Sequence, residues 1–178
     1  MNIFYLDHNP KLCAQYHCSK HCCKMIVEYC QILCTTHWVT GGEAPYKQTH
    51  INHPSTVWAR ESLSNYVWLC DLGMELCKEY THRYGRIHKT QKHIEWCMYN
   101  LPNIPDKGFT KIPQAMPDEC KRECPIEGYR NYYVMYKKDF AKWKNREIPK
   151  WYEKKLKKIL KKFCELKNNS IFVLQNDY

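Results

Sequence analysis

Tyr16-His17-Cys18-Ser19-Lys20-His21-Cys22-Cys23-Lys24-Met25-Ile26-Val27-Glu28 combines the apolar spacing of a helix with an unusual density of proton-transfer groups. His17, His21, Lys24 and Glu28 are separated by four, three and four residues, so on one continuous helix their side chains form a single stripe. Two imidazoles, an amine and a carboxylate in register suit a site that moves protons or forms an imine. A solvated face with chance histidines is the competing reading.

Outward from this stretch, Asn9 is a plausible N-cap with Pro10 in the first turn, and Gly41-Gly42 ends the run. A helix from about Lys11 to Val39 is therefore expected, with Leu12, Cys22, Met25, Ile26, Tyr29 and Leu33 buried. A second long helix, capped by Asn52 or Ser55, is expected to reach Tyr84, with Ala59, Leu63, Tyr66, Val67, Cys70, Met74 and Cys77 facing the core. Gly73 within it is either a point of close helix approach or simply tolerated. A shorter helix spans roughly His88 to Tyr99. Pro102, Pro105, Pro113 and Pro117 make the next connection an irregular, function-bearing loop. Pro125 opens a helix to about Trp143, in which Tyr129, Tyr132, Tyr133, Tyr136 and Phe140 read as core before they read as a stacking platform. From Glu153 to Lys167 an amphipathic helix carries Leu156, Ile159, Leu160, Phe163 and Leu166 opposite its lysines, with Trp151 at its head. A short strand over Ile171 to Leu174 is expected after it. The fold class is mainly α: a compact helical bundle over residues 1–152 with a lysine-rich helix and tail over 153–178.

The chain has 178 residues, enough for one good core and short for two. No run approaches the roughly 18 apolar residues of a bilayer span, and the start lacks the basic and apolar regions of a signal peptide. An intracellular protein with no membrane partner is expected. Its 12 cysteines read as buried thiols, with Cys30, Cys34, Cys70, Cys77 and Cys97 set among apolar helical residues. Zinc is the lesser alternative: Cys18, His21, Cys22 and Cys23 crowd one turn, and Cys120 lies near Cys124, but neither cluster is completed at knuckle spacing. No metal or cofactor is expected.

Lys and Arg number 28 against 18 Asp and Glu, a formal charge of +10. That excess favours a polyanionic partner, because each cation set on a phosphate releases condensed counterions, and interleaved aromatics add stacking surface. His53, Arg60, Arg130, Lys144, Arg146 and Trp151 are the expected nucleic-acid contacts, several of them at helix starts where unpaired N–H groups suit phosphates.

The order of several motifs resembles the pyrimidine-dimer DNA glycosylases of the phage endonuclease V type. These are the short segment before a His-containing first helix, then Asn52-His53-Pro54 with Val57-Trp58. Leu76-Cys77-Lys78-Glu79-Tyr80 with Arg83-Tyr84-Gly85 follows, then Ile112-Pro113-Gln114 with Pro117-Asp118-Glu119. Tyr129 and Arg146-Glu147-Ile148-Pro149-Lys150-Trp151-Tyr152 complete the series. The resemblance spans roughly residues 1–152. It implies a helical fold, contact with double-stranded DNA in the minor groove, extrusion of a base, and removal of a damaged pyrimidine coupled to strand cleavage. It also implies, as nucleophile, the amine of a small second residue beside a first-helix glutamate. Here residue 2 is Asn, too large for ordinary removal of Met1, and matching at His17 places Lys24 where that glutamate is expected, with Glu28 one turn later. Three chemistries stay open: Lys24 as the imine-forming amine assisted by Glu28, the Met1 amine in that role, or acid–base work by His17, His21 and Glu28 on a base, nucleotide or phosphodiester. Outside catalysis, a basic nucleic-acid-binding protein, or an interaction protein using the 153–167 helix to bind a partner or another copy, are the alternatives.

Overall fold

The computed structural model describes residues 1–161, and its described elements are helical. They are α1 (Pro10–Tyr16), α2 (Ser19–Val39), α3 (Pro54–Glu61), α4 (Leu63–Tyr84), α5 (Gln91–Tyr99), a 3₁₀ turn (Asp118–Cys120), α6 (Pro125–Tyr136) and α7 (150–161). α4 is the central element, packed against α1, α2, α3 and α5. The N-terminal arm threads through the middle, with Ile3, Phe4, Tyr5 and Leu6 all buried.

The expected helix over 11–39 is two helices. His17 and Cys18 are extended, with ψ of 129° and 161°. The cause lies in α4: the buried Arg83 guanidinium donates to the carbonyls of His17 (2.8 Å) and Gln15 (2.9 Å), replacing the next helical turn as their partner. Arg83 is held by Glu79, 2.6 Å from its Nε, and Glu79 also receives both donors of Arg146 at 2.9 and 2.7 Å. Burial pushes the Glu79 carboxyl up, but the hydrogen bonds from Arg146 and Arg83 outweigh it and hold the group below its ordinary range.

The second expected helix also divides, at Ser62 (φ −149°, ψ 142°). Asp106 from the Pro-containing loop accepts from Ser62 Oγ and from Ser64, while Leu63 N–H donates to Pro105 O, so the loop occupies the groups that would have continued α3. The α3 N-cap is His53, whose Nδ1 accepts from Ser55 N–H at 3.2 Å, in place of the expected Asn52 or Ser55. α5 begins at Gln91, and α6 stops at Tyr136 instead of Trp143.

Most expected core positions are buried, but Leu12 (41 %), Val67 (38 %) and Tyr136 (45 %) are exposed. At Gly73 the close-approach reading holds: a Cβ there would stand 3.2 Å from Ile94 of α5. Cys30, Cys34, Cys70, Cys77 and Cys97 are buried thiols. Among the described residues no group of three His, Cys, Asp or Glu is placed to hold a metal ion, and no helix is long and apolar enough to cross a membrane.

α7 docks through Trp151, Tyr152, Leu156 and Ile159, and Lys155 bridges to Glu127 and Asn131 of α6. The expected boundary after residue 152 falls inside this helix. Leu160 is exposed; Phe163, Leu166 and the strand expected at 171–174 lie outside the described residues.

Candidate active site

Glu28, on the flank of α2, is the point where the chemistry-bearing groups meet. Its Oε2 lies 3.6 Å from the Met1 amine and accepts the Asn2 N–H at 3.1 Å, while its Oε1 lies 3.1 Å from Lys24 Nζ. The carboxylate side chain is 12 % exposed and that of Lys24 is 65 % exposed. Lys24 thus reaches out from solvent to a sheltered acid.

The Met1 side chain is seated, only 2 % exposed, with Thr56 Oγ1 donating to its sulfur at 3.4 Å. The residue as a whole is nevertheless partly exposed, so what it presents to solvent is its backbone. Asn2 anchors the next link. Its Nδ2 donates to Ala115 O (2.8 Å), and its Oδ1 accepts from Ile3 N–H (2.8 Å) and from the Tyr129 hydroxyl (2.9 Å). The chain therefore uses its large second residue as a peg that fixes the arm. α3 closes the other side: half-buried His53 senses the charges of the N-terminal amine and Glu28, and burial, then that amine and His50, hold its imidazole below the ordinary range against the pull of Glu28.

His17 and His21 do not share this surface. With the helix broken at 17–18, His17 turns into the core, where Nδ1 pairs with Cys13 O at 2.7 Å and Nε2 with the Tyr29 hydroxyl at 2.6 Å. Burial pushes it down to about 4. His21 lies under Phe4, stacked at 4.2 Å, with its Nδ1 2.6 Å from the Tyr133 hydroxyl. Burial, followed by the charges of His17, Lys137, Lys24 and Lys20, pushes it to about 2. Both are neutral at pH 7. The single stripe of four residues is corrected accordingly: of the four, Glu28 faces the N-terminal amine through Oε2 and Lys24 through Oε1, while both histidines are turned into the core.

Of the expected nucleic-acid contacts, His53 adjoins the site. Arg60 acts on the loop before it, donating to Ile51 O at 2.6 Å. Arg130 binds Leu6 O, Asp7 and Glu127 and lies over the rings of Tyr16 and Trp151. With Arg146 and Trp151 it borders a separate open cleft of about 910 Å³. Lys144 is exposed above Tyr84. Lys20 and Lys137 lie on the His21 side of the molecule, over the rings of Phe140 and Tyr132, and their charges reach His21 together with that of Lys24.

Sequence reasoning missed the seat of the Met1 side chain, the Asn2 peg and the support that Tyr129 gives it from α6. Pro113 O lies 2.8 Å from the Tyr129 hydroxyl, where it shares the single O–H with Asn2 Oδ1, and the same hydroxyl oxygen accepts the Ala115 N–H at 3.4 Å, tying the loop at Pro113–Ala115 to the arm. Tyr129 and Pro113 stood among the matching motifs, which was the available signal.

No curated protein sequence and no solved structure matches the chain. The family model described as pyrimidine dimer DNA glycosylase matches residues 1–93, just over half of the 178 and a shorter span than the motif order suggested. The matched span contains Met1, Lys24, Glu28 and His53 and excludes Arg130, Lys144, Arg146 and Trp151. With a helical fold that brings an amine and a sheltered carboxylate together inside the matched span, the chain belongs to the pyrimidine dimer DNA glycosylase family, a DNA-repair family whose substrate is DNA.

Proposed function

We propose that this protein removes damaged pyrimidines from double-stranded DNA and cleaves the resulting abasic site, with the Met1 amine as nucleophile and Glu28 as its proton acceptor. The observation that carries this reading is the amine, presented by a buried side chain, 3.6 Å from a mostly sheltered carboxylate. An α-amine is well suited to imine formation, because α-amines as a class titrate near 8 and lysines near 10.4, so at pH 7 more of an α-amine is neutral.

The neutral amine attacks C1′ of the extruded nucleotide and its proton passes to Glu28. The C1′–N1 bond breaks, its electron pair leaving with the base, which takes up a proton. The C1′–O4′ bond then opens, O4′ keeping the electron pair and taking the proton held by Glu28, while the nitrogen lone pair forms C1′=N⁺. Loss of a C2′ proton expels the 3′ phosphate, and water releases the amine. Lys24, exposed and next to Glu28, receives a flanking phosphate with Lys20 and Lys137, and His53 borders the sugar from α3.

Borohydride reduction in the presence of duplex DNA bearing one abasic site tests this. A one-to-one covalent adduct that peptide mapping places on Met1, with intact mass showing that methionine retained, is the expected result. An adduct on Lys24 overturns the choice of amine. No adduct with abasic or lesion-bearing duplex overturns the enzymatic reading and leaves a basic DNA-binding protein.

A further inference from the structure

Resting on the reading of Met1 as nucleophile, we infer that the buried pair His17–Tyr29 is a positioning device that holds the N-terminal arm so that its amine meets Glu28. A chain terminus frays unless tied down, whereas attack at C1′ requires the amine to be held close to its reacting geometry. Met1 and Asn2 fix the first links of the arm. The third tie is at Phe4, and it runs entirely through the core.

The chain of bonds has one direction. A carbonyl only accepts, so His17 Nδ1 carries the proton and donates to Cys13 O at 2.7 Å. Nε2 is then an acceptor, and the Tyr29 hydroxyl donates to it at 2.6 Å. The phenolic oxygen in turn accepts the Phe4 N–H at 3.3 Å. Both side chains are fully buried, so neither reaches substrate. Cys13 adds to the same tie, its thiol donating to Phe4 O at 3.2 Å.

Burying an imidazole and a phenol costs desolvation that an apolar pair of similar volume would avoid. What the polar pair supplies is a directional bond to one backbone amide of the arm, and a neutral His17 keeps its acceptor nitrogen available across the physiological range. The break between α1 and α2 belongs to the same device: Arg83 binds the His17 carbonyl, which fixes where the imidazole enters the core.

Tyr29→Phe deletes a single oxygen and is the first test. At saturating abasic duplex the single-turnover rate constant for borohydride-trapped imine should fall at least about tenfold, while the dissociation constant for that duplex stays within about twofold. Hydrogen exchange at the Phe4 amide of the DNA-free protein should accelerate. His17→Gln retains an acceptor for the phenol and should keep more of the rate than His17→Leu, which retains none; this pair serves if Tyr29→Phe fails to fold. An unchanged trapping rate in Tyr29→Phe, unchanged Phe4 exchange, or equal rates in the two His17 variants overturns the proposal. A wild type that traps no imine instead overturns the Met1 reading, and Phe4 exchange then decides on its own whether the pair holds the arm.

Discussion

Replacing Glu28 by Gln separates the chemical from the structural duty of this residue. In the wild type Oε2 faces the Met1 amine at 3.6 Å and the Asn2 N–H at 3.1 Å, and Oε1 faces Lys24. Glutamine keeps one oxygen to accept the Asn2 N–H, so the arm stays in place, but an amide is no proton acceptor. A general base contributes typically about 10²–10⁴-fold. The 3.6 Å contact is longer than a hydrogen bond, so the lower end applies: about a hundredfold slower imine formation, or about 2.7 kcal/mol of barrier. Binding should move the other way, because the variant loses a negative charge beside Lys24 and frees that ammonium for a phosphate. The assay is single-turnover trapping on abasic duplex at saturating protein and pH 7, with the dissociation constant measured in parallel at low salt. A hundredfold slower reaction with equal or tighter binding meets the expectation. A rate within threefold of wild type removes Glu28 from the chemistry, and a parallel loss of rate and affinity shows that the substitution has disturbed the arm.

Three further outcomes are expected. DNA affinity should fall steeply between 50 and 200 mM salt, and Lys20→Ala, Lys24→Ala and Lys137→Ala should each reduce the slope of log K against log salt by about 1, read by fluorescence anisotropy. The depressed His17, at about 4, predicts an acid-sensitive window: the unfolded imidazole binds its proton near pH 6.5 and the folded one does not. His17's share of the stability present above pH 6.5 is therefore lost as pH falls toward 4, by up to about 3 kcal/mol, and urea melts of His17→Gln should show a shallower loss over that window, with the share of His21 remaining. Glu79→Gln should cost about 3 kcal/mol, the lower end of the range for breaking a buried pair, because Arg83 stays fully buried with its carboxylate partner gone while the amide retains one acceptor; thermal melts check it.

The contrast between Lys24 and His21 shows what periodicity supplies and what it omits. Both lie on one side of α2, as their spacing requires, yet one is in solvent and the other is roofed by Phe4 and Tyr133. Residue spacing gives a direction around the helix axis; what covers that direction is set here by the N-terminal arm and by α6, more than a hundred residues away. The break at His17 is hidden for the same reason. Nothing in residues 10 to 39 interrupts a helical pattern, and the cause is a guanidinium at position 83 that takes the carbonyls of Gln15 and His17. Helix existence, buried thiols and the core face of α4 depend on local pattern, and those were legible. Helix breaks, and the carboxylate that faces the amine, depend on side chains remote in sequence.

The basic charge divides along similar lines. Arg130 and Arg146 are among the expected phosphate ligands, and in the structure Asp7, Glu127 and Glu79 engage them. A planar guanidinium binds carboxylates through two donors and stacks on rings, which suits it to knit α1, α4, α6 and the segment before α7 together. Lysine is a single hydrated charge on a flexible stem, at less cost left at the surface, and the charges of Lys20, Lys24 and Lys137 all reach His21, with Lys24 also on Glu28. The arginines therefore build the scaffold that holds the arm, and on the proposed function the phosphate contacts fall to the lysines. On that division, Arg146→Lys should lower thermal stability while leaving the salt slope of DNA binding unchanged, the opposite of Lys20→Ala.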